Sequence, residues 1–327
     1  NNDKTIVFVA GIHGNEKSGI IALKKVFKEI RETSIEINGT IIGLIGNLNA
    51  LRESTRYIDN DMNRIWNQKM INMQLSRKNS EHAELLILNG LIEKIILLKK
   101  KNNISIIDLH NTSSANGVFT IVNNKKEAKL TSHLKIPVIN NLFSKVKGSL
   151  ARYYNKRDVT SIVFEGGAIG DPASINNHES GIWKILEKKN FIKEHQIPKK
   201  VLKNIETMQN FATNVNGNYF VKYIHKIKKL DNFLMNPNMQ NFEKSTSTTV
   251  LAVLLNLKLP DREKVKSHPE LPPYFYEVDA ERQGGMTAKG ANDIQLQKRI
   301  QQIWIPLFKP PPAPKGKSRV DADHDKA

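Results

Sequence analysis

Short apolar runs, each halting at a glycine or an acidic residue, alternate with helical stretches through the first two hundred residues. Thr5-Ile-Val-Phe-Val-Ala10 is rich in β-branched and aromatic side chains and stops at Gly11, the pattern of a strand buried on both faces. Ile104-Ser-Ile-Ile-Asp108 repeats it, and Val118 to Val122 and Ser161-Ile-Val-Phe164 add two more runs. Residues 37–46 read as a further strand. Between the strands, a helix is predicted over 17–31 and a longer one after Ser80. In the longer helix Glu81 and Glu84 sit in the first turn and Lys99 and Lys100 in the last, matching the helix dipole. Asp171-Pro172 supplies an N-cap and a first helical residue for a helix towards Lys189. Such alternation predicts an α/β fold with helices on both faces of the sheet.

The chain has 327 residues, enough for about two domains. Nine of the 13 prolines follow Ser245, and the stretch from Lys309-Pro-Pro-Pro-Ala-Pro to Ala327 reads as an extended or disordered tail. No stretch reaches 18 uninterrupted apolar residues, so a membrane-spanning helix is not expected. With no cysteine, disulfides, thiol nucleophiles and thiolate-bound zinc are excluded, and any metal must be held by His, Asp or Glu. The start lacks the layout of a secretory signal, so a cytoplasmic location is expected. Lys and Arg number 50 against 32 acids, a net charge of +18. The excess is mostly scattered lysine, which solvates a surface, so nucleic acid is not the expected partner; a positive field still favours small anions.

Three segments carry chemistry, each just after a predicted strand, where open α/β sheets place ligand sites. In Gly11-Ile12-His13-Gly14-Asn15-Glu16 an imidazole and a carboxylate lie three residues apart, and both are good zinc ligands. The plain alternative is a loop histidine bonded to a nearby acid. Asp108-Leu109-His110-Asn111-Thr112 delivers a second histidine at a strand end. His110 would complete a two-His, one-carboxylate set with an open fourth position, and Asp108 could orient an imidazole from behind. The third segment, Arg56 to Arg64, holds two arginines and Asn63 within nine residues, suited to gripping a carboxylate, unless the arginines are spent on Asp59 and Asp61. A fourth piece is Phe164-Glu165-Gly166-Gly167. A carboxylate ending an apolar strand there could take a proton from a zinc-activated water, or could simply face solvent.

In their order, Gly-x-His-Gly-Asn-Glu, Arg-Tyr-Ile-Asp-x-Asp-x-Asn-Arg and Asp-Leu-His-Asn-Thr resemble the aspartoacylase and succinylglutamate desuccinylase family, a branch related to zinc carboxypeptidases. The likeness covers roughly residues 5–170 and leans to the aspartoacylase side. It implies a carboxypeptidase-like mixed sheet flanked by helices, with a smaller, β-rich C-terminal domain. It implies one zinc ion on His13, Glu16 and His110, Glu165 as general base and then acid, Arg56 polarising the scissile carbonyl, and Asn63 and Arg64 on the α-carboxylate. A further arginine upstream of the base is expected to read a side-chain carboxylate, and Arg152 and Arg157 are the candidates. Met235 to Phe242 resembles the start of the C-terminal domain, with Tyr274 and Tyr276 in proline-rich surroundings beyond it. The expected division is a catalytic domain over 1–200, a second domain over 201–308 that diverges after about 245, and the tail over 309–327.

The resemblance implies hydrolysis of the amide of a small anionic N-acyl amino acid, of N-acetylaspartate or succinylglutamate type, by a protein that could form a homo-oligomer. Two rival expectations stand beside it. One is a zinc carboxypeptidase acting on peptides, which would share the ligand pattern. The other is a basic binding protein with a vestigial metal site, which would bind nucleic acid in a salt-sensitive way and carry no stoichiometric zinc.

Overall fold

The computed structural model describes residues 4–221 apart from 34, 75–78, 100 and 115–116, together with 224, 233–235, 240–242 and 252–254. The strands are β1 (Thr5–Ala10), β2 (Thr40–Ile45), β3 (Ile104–Thr112), β4 (Val118–Val122), β5 (Val138–Asn140), β6 (Thr160–Ala168), β7 (Asn218–Phe220), β8 (Phe233–Met235) and β9 (Ala252–Leu254). The helices are α1 (Ser18–Glu32), α2 (Leu48–Glu53), α3 (Gln68–Asn72), α4 (Ser80–Leu98), α5 (Lys125–Thr131), α6 (Leu142–Lys145), α7 (Leu150–Asn155), α8 (Ala173–Lys188) and α9 (Lys199–Ala212).

Seven strands form one mixed sheet in the order β2-β1-β3-β6-β4-β5-β7. Only the β4–β6 pairing is antiparallel. The central strands are apolar on both faces because both faces are covered. Along β1, Ile6, Phe8 and Ala10 join α1, α8 and α9 in one core, while Val7 and Val9 join α4 and Tyr154 of α7 in another. A third core lies under β4 and β5, where Phe119, Ile121 and Ile139 meet Leu142, Phe143 and Val163.

The helix ends follow local chemistry. Asn79 caps α4 by accepting from the His82 amide at 3.0 Å. Asp171 Oδ1 accepts from the Ala173 amide at 2.9 Å, as its place before Pro172 predicts. Sequence boundaries shift by a few residues: the strand expected over 37–46 runs only from Thr40 to Ile45, at the sheet edge, and the run ending at Asp108 continues to Thr112.

The packed unit runs past residue 200. Helix α9 buries Val201, Ile205, Met208 and Ala212 in the same core as α8, and β7 closes the far edge of the sheet. β8 and β9 pair antiparallel as a separate two-stranded sheet. Within the segment that resembles the start of a second domain, Phe242 is buried against Phe119 and Tyr219. The rest of the expected second domain, with Tyr274 and Tyr276, and the expected tail lie outside the described residues.

Candidate active site

The strands β1, β3 and β6 are successive neighbours in the sheet, and their carboxyl ends open on one cleft. That is where parallel sheets place ligands. After β1, Gly11 turns the chain with φ of +75°. Gly14 then packs so closely on the Ala50 backbone that a Cβ would stand 2.0 Å from its carbonyl carbon. This close approach turns His13 and Glu16 into the cleft, where both are 3% exposed. β3 brings His110, also 3% exposed, and β6 brings Glu165, its direct register partner. All four line one cleft that opens to solvent, together with Arg56, Asn63 and Arg64.

Glu16 joins the two imidazoles. Its Oε1 lies 2.7 Å from His13 Nδ1 and its Oε2 lies 2.9 Å from His110 Nδ1. The ring centroids of the two histidines are 5.0 Å apart. One ligand atom from each of the three residues falls within 4.8 Å of the others. The far nitrogens face carboxylates: His13 Nε2 lies 3.0 Å from Asp61 Oδ1, and His110 Nε2 lies 3.0 Å from Asp108 Oδ2. Each imidazole thus lies between two carboxylates, and with an ion on the Nδ1 side the acids behind would face the far nitrogens, as around metal-bound histidines. Two imidazoles and one carboxylate, buried and braced in this way, fit a zinc ion with an open fourth position.

The charges are strongly interdependent. Burial opposes ionisation of Glu16, but His13 and His110 outweigh it and hold the carboxyl well below the usual carboxylate range. Burial likewise opposes the charge on His110, yet Asp108 and Glu16 hold the imidazole well above its ordinary value. Asp61 is also held well below its ordinary range, because Arg56, His13 and Arg64 overcome its burial. Glu165 behaves oppositely. Burial dominates there and pushes its carboxyl up to about 8. Its Oε2 has no hydrogen-bond partner among the described residues.

The Arg56–Arg64 segment is held from outside by one buried acid. Glu81 of α4 accepts the amides of Ile58, Asp59 and Asn60 at 2.6, 2.9 and 3.0 Å, and the Asn47 side chain at 3.0 Å. Arg56 bridges Glu16 at 3.1 Å and Asp61 at 3.2 Å. Asn63 accepts the Leu150 amide at 2.9 Å, and its Nδ2 lies 3.2 Å from His110 Nε2. Gly148, with φ of +79°, lets the Arg64 carbonyl approach where a Cβ would meet it at 2.0 Å.

The structure thus brings His13, Glu16, His110, Glu165, Arg56, Asn63 and Arg64 together. It does not bring Arg152 or Arg157 to the cleft. The Arg152 guanidinium donates to the carbonyls of Phe143 and, at 3.0 Å, Val146. Arg157 pairs with Glu93 and stacks against Tyr153 and Tyr154. Asp59, expected as an arginine partner, instead accepts the Ser80 amide at the start of α4 at 2.7 Å. Two contributors were not anticipated: Asp61 as the acid behind His13, and Glu81 as the brace of the loop. Asp61 lies 48 residues from His13, and no local pattern in the sequence links the two.

The fold is a mixed α/β sheet flanked by helices, and at the carboxyl ends of its strands these residues gather two buried imidazoles and a carboxylate. Residues 2–177 match the family described as Succinylglutamate desuccinylase/Aspartoacylase catalytic domain, and the chain belongs to that family. It is 32% identical over 83 residues to the succinylglutamate desuccinylase of Photorhabdus laumondii, covering 25% of this chain and 26% of that protein. It is 31% identical over 125 residues to a probable aspartoacylase of Acaryochloris marina, covering 38% and 40%. The chain therefore aligns with about a quarter to two fifths of the length of these curated relatives. The crystal structure of the succinylglutamate desuccinylase from Chromobacterium violaceum superposes with a TM-score of 0.54 at 15% identity, covering 76% of this chain and 77% of that one. Murine aminoacylase 3 gives 0.51 at 15% identity, covering 77% and 84%. At that identity the likeness is one of fold.

Proposed function

We propose that this protein is a zinc-dependent amidohydrolase that cleaves the amide bond of an N-acyl amino acid, releasing a carboxylate and the free amino acid. The observation that carries the reading is the buried His13–Glu16–His110 cluster with Glu165 lining the same cleft. His13, Glu16 and His110 would hold the ion. When bound, zinc in such a site supplies Lewis-acid polarisation of the carbonyl and a water with a pKa near 7.

The chain's own residues do the rest. Glu165 takes a proton from the attacking water and returns it to the departing amine. Burial raises its proton affinity for the second half of that cycle. Arg56, locked between Glu16 and Asp61, adds fixed positive charge where the carbonyl oxygen becomes anionic. Asn63 and Arg64 hold the substrate's α-carboxylate, which orients the amide. The family and the relatives named succinylglutamate desuccinylase and aspartoacylase support this reaction class.

Replacing Glu165 by Gln tests the assignment. The variant is expected to keep about one zinc per chain by elemental analysis and to lose turnover by roughly 10²- to 10⁴-fold. Full activity in that protein would overturn it.

A further inference from the structure

The cleft has two unlike sides. One carries Arg56, Arg64 and the histidine–carboxylate cluster. The rest of the lining holds five apolar side chains, Ile121 of β4, Val163 of β6, Leu142 and Phe143 of α6, and Val146 just after it, alongside the uncharged polar Asn111, Thr112, Ser113 and Ser149. These five side chains belong to the third core and reach the cleft as an extension of it. The wall is also fastened. Arg152 donates to the carbonyls of Phe143 and Val146, and the Val146 amide donates to the Leu142 carbonyl at 2.9 Å. A guanidinium that could have met a ligand is used to hold hydrocarbon against the cleft.

Charge accounting on the cleft points the same way. Among the described residues lining it, the arginines are Arg56 and Arg64. Arg56 already spans Glu16 and Asp61. One substrate carboxylate can be met at Arg64 and Asn63. A second one, at the other end of the substrate, would lie against Ile121, Val146 and Val163, where no cation lines the cleft among the described residues. An ionised carboxylate in such surroundings is strongly disfavoured, whereas a hydrocarbon group gains by leaving water.

Resting on the amidohydrolase reading, we propose that the preferred substrate is an N-acyl amino acid with a single carboxylate, the remainder of which is apolar and packs on the Ile121–Leu142–Phe143–Val146–Val163 wall. A dicarboxylic substrate such as an N-acyl aspartate or an N-succinyl amino acid is disfavoured.

The test compares the zinc-loaded full chain on N-acetyl-phenylalanine, N-acetyl-leucine, N-hexanoyl-glycine, N-acetylaspartate and N-succinylglutamate. Expected is a kcat/KM for the best monocarboxylate at least tenfold above that for either polycarboxylate. A preference for N-acetylaspartate or N-succinylglutamate would overturn the specificity and leave the amidohydrolase reading standing. Calorimetric binding of the same five compounds to the zinc-loaded Glu165→Gln protein separates the two claims, because it needs no turnover. Tighter binding of the monocarboxylates supports the apolar wall even if the wild type hydrolyses none of them, and tighter binding of N-acetylaspartate or N-succinylglutamate overturns it. Val146→Lys places a cation on the wall at a position outside any helix or strand. It is expected to shift the binding ratio towards N-acetylaspartate by tenfold or more, and an unchanged ratio counts against the assigned wall.

Discussion

Asp61 shows how much a single buried side chain can organise. Its two oxygens serve His13, Arg56 and the Asn63 amide, the last accepted by Oδ1 at 2.9 Å. The carboxylate therefore holds the far edge of the His13 ring and the direction of Arg56 together. Asp61→Asn would present an amide group to one of these donors. We expect zinc affinity to fall by about 10- to 100-fold, measured by competition with a chromogenic chelator, with the folded signal in near-ultraviolet dichroism retained. An affinity equal to wild type would remove Asp61 from the metal site. At this scale the sequence singled out the side chains that gather in the cleft and was silent about their supports. His13, Glu16, His110 and Glu165 stand beside glycines or at strand ends, where exposed chemistry is conspicuous. Asp61 meets His13 across 48 residues and Glu81 meets the 58–60 amides across 21 to 23, and no local pattern encodes such a meeting.

Among the elements, α4 does more than cover the sheet. Its first turn offers Glu81 to three consecutive amides of the 58–60 segment, with Oε1 taking Ile58 and Asn47 and Oε2 taking Asp59 and Asn60. In Glu81→Gln one of those oxygens becomes an NH₂ that faces donors. We expect stability to fall by about 1–3 kcal/mol in urea titration. We also expect KM to rise several-fold while kcat changes less, since the loop that carries Arg56 and Arg64 loses its anchor. A change confined to stability would show that the brace has no part in substrate binding. The acid was read as a helix-dipole partner because Glu near an N-terminus is common; its burial is what the pattern of charges could not reveal. β1, β3, β4 and β6 were legible because two covered faces demand uninterrupted apolar residues. β5, α6 and β7 are three or four residues long and too short for any period to register.

For the whole molecule, acid sensitivity follows from histidines kept neutral. His178 of α8 is wholly buried beneath Gly166, where a Cβ would stand 2.3 Å from its ring, and burial lowers its pKa to about 4. His133 is lowered as well, again mainly by burial, although it bonds the Lys184 carbonyl at 2.9 Å. A base with a depressed folded pKa binds fewer protons folded than unfolded. Its neutral form is therefore favoured by folding, and stability is lost as pH falls from about 6.5 towards 4. For His178 alone the loss is on the order of 3 kcal/mol. Urea midpoints at pH 7, 5.5 and 4 are expected to decline in that window, and more gently in His178→Asn; parallel slopes would refute the contribution.

One rung of the central ladder has a wider consequence. His110 and Glu165 face each other in the β3–β6 register, so their separation is written into the backbone pairing and not into either side chain's neighbours. Sliding β6 by a single residue would turn Glu165 away and bring Phe164 or Gly166 to the mouth. Surface drift, loop insertion and lysine enrichment can therefore accumulate around this protein without loosening the distance between His110 and Glu165.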